Sequence, residues 1–247
     1  MRHWAFGTAL LCLSACGQTA PSGVEATPPT APSQALATID TAGPNIELAS
    51  TGFFVDGNGH VLTAGHAVNG CTNIYVEKEN RTVRATFVAR SDTADLALIK
   101  IGETLGLPAV FARSDEVGEK DMVFAANYAT LGDILAHGGA LSNAVVADSG
   151  SEPGETDITL VSDATYGASG APVLSSRGLV IGVVTRRGAE DRVYAVKSDV
   201  AKAFLAAHNI AFEAVDEPQL GALQDRAARA RTVSAHVLCF KGHHRPP

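Results

Sequence analysis

Three short segments hold residue types that can perform nucleophilic acyl transfer if a fold brings them together. Leu62-Thr63-Ala64-Gly65-His66-Ala67-Val68 presents a histidine. Asp92-Thr93-Ala94-Asp95-Leu96-Ala97-Leu98-Ile99 presents two aspartates ahead of an apolar run. Gly167-Ala168-Ser169-Gly170-Ala171-Pro172 presents a serine among small residues. Each alone is a weak sign, since lone histidines are mostly surface or core residues and Gly-x-Ser-Gly is often only a tight loop. In the order His, Asp, Ser, with strand-like flanks, they are specific. A serine hydroxyl is a poor nucleophile at neutral pH, and an imidazole that titrates near pH 7 can take its proton and return it to the leaving group. A carboxylate holds that imidazole in one tautomer and stabilises the imidazolium. Small residues around Ser169 let backbone N–H groups, those of Gly167 and Ser169, face a developing oxyanion. Gly167 and Gly170 can adopt the backbone angles of such a loop without a Cβ clash.

The elements that must carry these groups read as short strands and turns. Thr51–Val55 and His60–Thr63 are β-rich and flank the turn Asp56-Gly57-Asn58-Gly59, which predicts a hairpin. Further β runs recur at 73–76, 83–89, 96–101, 122–126, 144–147, 158–161, 172–174, 179–185 and 193–196. Many short strands with turn signals imply an all-β barrel or sandwich. One helix is expected over Asp199–Ala207 with Ser198 as its N-cap. A short polar helix is expected over 219–231 and a final strand over Thr232–Phe240.

With these elements in view, the chain resembles the trypsin-like serine peptidases, in particular the bacterial HtrA/Deg-like branch, from about Leu48 to about Leu205. TGFFVDGNGHVLTAGHAVNG is similar to that family's first hairpin and histidine motif, DTADLALIKI to its aspartate motif, and GASGAPVLSSRGLVIGVVT to its nucleophile loop and following strands. The resemblance implies two six-stranded β-barrels with the site between them. His66 would be the general base, Asp95 its orienting carboxylate with Asp92 as the alternative, and Ser169 the nucleophile. Two positions depart from the family's usual loop: Ala168 precedes the serine, and Ala171 stands where a glycine is usual. Ala168 cannot form the ion pair with a new N-terminus that activates digestive zymogens. The residues after 212 are too few for the PDZ domain that HtrA proteins usually carry. Asp163, six residues before Ser169, stands at the offset of the trypsin specificity aspartate and would favour Arg or Lys at the cleaved position; it can equally end a strand or cap a turn. Thr185 ends the strand that usually walls that pocket, Arg186 and Arg187 follow it, and one of these arginines could instead neutralise Asp163 or attract acidic side chains.

The whole chain bounds these readings. Its 247 residues allow one large all-β domain or two small ones, and the net charge of −7 argues against a nucleic-acid partner. No apolar run of about 18 residues is present to span a bilayer as a helix. Arg2 and the apolar run Ala5–Leu13 suit a secretory signal, and Leu13-Ser14-Ala15-Cys16 resembles a bacterial lipobox with Cys16 as the acylated residue. Cleavage nearby without lipid is the alternative. Expected boundaries are therefore 1–15 signal peptide, 16–44 Pro/Ala/Thr-rich tether, 45–212 peptidase domain and 213–247 tail. Cys12 leaves with the signal and Cys16 carries lipid, so Cys71 and Cys239 remain to form one disulfide or two buried thiols. His236, Cys239, His243 and His244 have spacings that can bind zinc, but a mobile tail is the simpler account. No cofactor and no metal is implied. The chain is expected in the bacterial cell envelope, lipid-anchored or secreted, acting on proteins or peptides. A silent binding protein on the same fold is the competing reading, distinguished by whether Ser169 is reactive.

Overall fold

A computed structural model describes residues 48–114, 117–150, 155–162, 167–221 and 223–241. The signal, the tether, Cys16, Asp163, His243 and His244 lie outside them. The described residues form fourteen strands and three α-helices, so the all-β expectation holds. Among them no helix is long and apolar enough to cross a membrane.

The first hairpin forms as its sequence dictates. β1 (Leu48–Phe54) and β2 (His60–Ala64) pair antiparallel. In the turn between them the Asp56 carboxylate accepts the N–H of Asn58 at 2.9 Å and of His60 at 3.1 Å, and Gly59 takes φ +84°. β3 (Asn73–Lys78), β4 (Arg81–Arg90) and β5 (Leu96–Lys100) continue the sheet, and it closes into a six-stranded barrel in the order β1-β14-β3-β4-β5-β2.

The sixth stave, β14 (Ser234–Phe240), comes from the far end of the chain. It lies between β1 and β3, with Leu48 opposite Cys239 on one side and Ile74 opposite Cys239 on the other. The described residues beyond 212 are thus no appendage. Glu213–Val215 forms β13 in the second sheet and β14 completes the first barrel, so the expected boundary at 212 divides continuous structure. Local pattern shows that Ser234–Phe240 is a strand but not which strands it joins, because pairing is chosen by groups far away in sequence. α3 (Arg226–Val233) also starts later than expected, because Asp225 caps it by accepting the Ala228 N–H at 2.8 Å. Buried Lys78 donates to the carbonyls of Arg231 in the last turn of α3 (2.5 Å) and of Ser234 just after it (2.8 Å), and burial pushes its ammonium down to about 8.

The second sheet has eight strands in the order β13-β6-β11-β12-β9-β8-β7, with β10 paired to β11. Its members before β13 are β6 (Val110–Ala112), β7 (Met122–Val123), β8 (Ala144–Asp148), β9 (Asp157–Ser162), β10 (Pro172–Leu174), β11 (Val180–Arg187) and β12 (Arg192–Lys197). Where a second six-stranded barrel was expected, the strands β7-β8-β9-β12-β11-β10 form a half-barrel whose seam is a single bridge. There Phe124 and Leu174 exchange hydrogen bonds of 3.0 and 2.8 Å. The seam is short because the chain leaves β7 after two residues to start α1 (Tyr128–Ala136), a helix the sequence reading missed. Its signals were there: Asn127 caps it, and Gly138-Gly139 follows it.

Continuous apolar runs arise because strands of the first barrel are buried on both faces. In β1, β2 and β5, Phe54, Val61, Ala97 and Ile99 point into the barrel, while Phe53, Leu62, Leu96 and Leu98 join a layer shared with Phe124, Leu174, Val183, Phe204 and α3. That layer lies between barrel and second sheet and fixes them against each other. Each fully buried side chain of this kind contributes about 1.5–3 kcal/mol. α2 (Ser198–Ala207) covers it through Ala201, Phe204 and Leu205; it begins one residue earlier than expected, with Lys197 at the N-cap position.

Cys71 and Cys239 are joined in a disulfide across 168 residues of sequence, with Cα atoms 5.4 Å apart. A loop this long gives a cross-link a stabilisation of about 3–5 kcal/mol. The Cys71→Ser, Cys239→Ser double variant is therefore expected to melt well below wild type. Equal melting temperatures would show that the bond adds nothing to the fold. Since Cys239 is bonded to Cys71, it cannot serve as a thiolate ligand, and the described residues contain no cluster suited to a metal ion.

Candidate active site

His66 sits on a 3-10 turn (Gly65–Val68) at the end of β2, and Asp95 immediately precedes β5, the strand paired with β2. The pairing brings them together, and Asp95 then holds the histidine segment at three points. Its carbonyl accepts the Gly65 N–H at 3.0 Å, one carboxylate oxygen accepts the His66 N–H at 2.8 Å, and the other lies 2.6 Å from His66 Nδ1. Gly65 is required for this approach, because a Cβ there would stand 2.9 Å from the Asp95 Oδ1. With a carboxylate against Nδ1, that nitrogen carries the proton and Nε2 keeps its lone pair. The hydrogen bond that His66 donates to Asp95 lifts the His66 pKa above its ordinary 6.5, against the opposing pull of burial. Burial pulls the Asp95 carboxyl upward, yet the two hydrogen bonds from His66 and the nearby positive charges outweigh it and hold its pKa below 3.8. Asp92, the alternative, is exposed in the preceding turn, where Ser91 Oγ accepts the N–H groups of Thr93 and Ala94.

Ser169 lies on the loop that enters β10. Ala171 N–H donates to the Ala168 carbonyl at 2.8 Å, and the loop is laced to β11 by Gly170 N–H to Val184 O at 2.6 Å and Val184 N–H to Ala171 O at 2.9 Å. Gly170 has φ +84°, and a Cβ on it would come within 2.0 Å of the Thr51 carbonyl oxygen. Gly167 has φ +90°. The two departures from the resembled motif are absorbed by packing, since Ala168 and Ala171 are buried in the core of the second sheet. Among the described residues, the N–H groups of Gly167 and Ser169 have no acceptor, which leaves both available to an incoming oxyanion. Ser169 Oγ donates to the Thr185 carbonyl at 3.2 Å, not to His66. The structure thus brings Asp95 onto His66, and holds the Ser169 loop against the same barrel through Thr51 N–H to Ser169 O at 2.9 Å.

Of the expected specificity residues, Asp163 falls outside the described segments. Thr185 is buried, its hydroxyl donating to the Tyr194 carbonyl at 3.3 Å. Arg186 is exposed; it stacks on the Tyr194 ring at 4.2 Å and lies 3.6 Å from the Asp157 carboxylate, so its described acidic partner is Asp157. Sequence reasoning missed Thr51, whose hydroxyl donates to the Gly167 carbonyl at 2.8 Å. Nothing local marks that residue, which reads only as the start of a strand.

Comparison with known proteins adds three kinds of finding. The trypsin-like peptidase domain family matches residues 50–183, a span that includes His66, Asp95 and Ser169. The chain is 32% identical over 226 residues to the uncharacterized protein y4bJ of Sinorhizobium fredii, covering 84% of this chain and 35% of that protein. It is 32% identical over 165 residues to HhoA of Synechocystis sp., with 62% and 41% covered, and 29% identical over 172 residues to serine protease HTRA1 of Xenopus laevis, with 65% and 36% covered. The chain thus spans less than half the length of these relatives. Among solved structures, Rv3671c of M. tuberculosis aligns with a TM-score of 0.49 at 21% identity, covering 65% of this chain and 81% of that one.

Proposed function

Because the chain belongs to the trypsin-like peptidase domain family, we propose that it is a serine endopeptidase. Ser169 Oγ turns from the Thr185 carbonyl and attacks the scissile carbonyl carbon while His66 Nε2 takes its proton. The oxyanion is met by the N–H groups of Gly167 and Ser169. His66 then passes the proton to the leaving amine, and water hydrolyses the acyl-enzyme by the same route in reverse. The observation that carries this reading is the three-point hold of Asp95 on His66, which leaves Nε2 free as a base. No cofactor enters any step.

The substrates proposed are proteins or peptides of the bacterial cell envelope, reached by a chain exported through its N-terminal signal and anchored by lipid on Cys16. The Cys71–Cys239 bond supports an oxidising compartment. Cleavage after Arg or Lys would implicate Asp163, whereas a preference for acidic side chains would implicate Arg186. Profiling on a peptide library separates the two. The test of the activity itself is labelling with a fluorophosphonate, with Ser169→Ala as control. Labelled wild type and unlabelled variant are expected; folded wild type that does not label refutes the proposal.

The pH dependence follows from His66. The base must be neutral to accept a proton, and its bond to Asp95 raises its pKa above 6.5. Activity is therefore full well above that raised value and falls as pH drops through it, with the midpoint of the acid limb above 6.5. Asp95→Asn removes the cause of the shift, so the midpoint should move down and kcat should drop by about 10⁴. A profile flat between about pH 5 and 8 would exclude His66 as the base.

A further inference from the structure

Every polar group of Thr51 is committed, and two of its four hydrogen bonds reach the nucleophile loop. The residue sits on β1 in the first barrel and is fully buried. Its N–H donates to Ser169 O at 2.9 Å. Its hydroxyl accepts the N–H of Tyr128, the first residue of α1, at 3.0 Å. That leaves the single hydroxyl proton for the Gly167 carbonyl, at 2.8 Å. Its own carbonyl accepts the Thr63 hydroxyl at 2.7 Å. Gly167 and Ser169 are the two residues whose N–H groups are proposed to meet the oxyanion, and Thr51 holds the carbonyl of each.

We infer that Thr51 is the positioning residue of the oxyanion-binding loop, setting it from the barrel that carries His66. The need for such a clamp is local. Gly167 has no Cβ and sits at φ +90°, so nothing intrinsic stops the Gly167–Ala168 peptide from rotating. Rotation of that peptide disturbs both neighbouring peptides, which contain the two donor N–H groups. An oxyanion site acts through donors already aimed at the place where charge develops, so a loop that must reorganise loses rate rather than substrate affinity. The hydroxyl of Thr51 also ties the start of α1 to the loop, and Asn127, the α1 cap, packs directly over Gly167, where a Cβ would meet its Nδ2 at 2.5 Å. One side chain therefore registers barrel, helix and loop together.

The kinetic part of this inference rests on the peptidase reading, and its test separates the two. Thr51→Val keeps shape and removes the hydroxyl; Thr51→Ser keeps the hydroxyl. With a fluorogenic peptide, Thr51→Val should lower kcat about 10- to 100-fold with KM within about twofold, and weaken binding of a peptidyl trifluoromethyl ketone in parallel. Thr51→Ser should stay within about threefold of wild type. Hydrogen exchange at the amides of 167–171, followed by mass spectrometry, should be faster in Thr51→Val and unchanged in Thr51→Ser. Wild-type kcat in Thr51→Val, equal loss in both variants, or unchanged exchange in Thr51→Val each overturns the inference. If wild type itself does not cleave, it is the peptidase reading that fails, and the exchange comparison alone decides the role of Thr51.

Discussion

Replacing Ser169 by alanine is expected to remove about six orders of magnitude from the peptide-hydrolysis rate while leaving the protein folded. The rate falls because no other group takes over nucleophilic attack, and what survives is the contribution of the oxyanion donors and substrate binding. The fold survives because the loop does not depend on the hydroxyl. Its shape is set by backbone bonds from Gly170 to Val184, from Val184 to Ala171 and from Thr51 to Ser169. Among the described residues the only side-chain bond lost is Ser169 Oγ to the Thr185 carbonyl, which costs about 1 kcal/mol. His66→Ala should cost nearly as much in rate, and the double variant little more than either single one, since the groups act as a unit. The measurement is kcat on a peptide substrate beside a thermal melt of the same preparation. A Ser169→Ala variant that keeps more than about 1% of the rate would mean that another group is the nucleophile.

Val237→Asp is expected to destroy the folded protein, although it lies near the far end of the chain from the histidine. Val237 is fully excluded from solvent on β14 and packs in the interior of the first barrel with Phe54, Val61, Val76 and Ile99. A carboxylate there would stand among these apolar side chains, and an unpaired buried charge costs several kcal/mol, comparable with the 5–15 kcal/mol stability of a whole domain. Glu217→Lys, an exposed change in the same part of the chain, should leave the melting temperature within about 2 °C of wild type. Were 213–247 an appendage, both variants would melt like wild type. A folded Val237→Asp protein would therefore remove β14 from the barrel that carries His66 and Asp95.

How far the sequence could be read follows from the range of the forces involved. The Asp56–Gly59 turn was legible because its hydrogen bonds and its positive φ are satisfied within five residues. The nucleophile loop was legible for the same reason, since Gly167 and Gly170 are demanded by backbone angles and close approach. α1 was missed although Tyr128, Leu131, Ile134 and Leu135 recur at helical spacing, because the stripe is only nine residues long and Gly132 interrupts it. Arg186 could not be assigned a partner because Asp157, on β9, reaches it only through the second sheet.

The sequence by itself determined the chemistry available: an imidazole, two candidate carboxylates, a serine among small residues, and two cysteines able to pair. Tertiary structure decided which of these meet. Antiparallel pairing of β2 with β5 selects Asp95 over Asp92 by carrying it to His66 Nδ1. Insertion of β14 between β1 and β3 closes the barrel beneath them and brings Cys239 to Cys71. Thr51, silent in the sequence, holds the Ser169 loop from β1 of the first barrel. The physical reason is that residue type and local backbone angles are settled over a few positions, whereas a hydrogen-bond partner more than a hundred residues away is chosen only when burial of both elements makes an unpaired group costly.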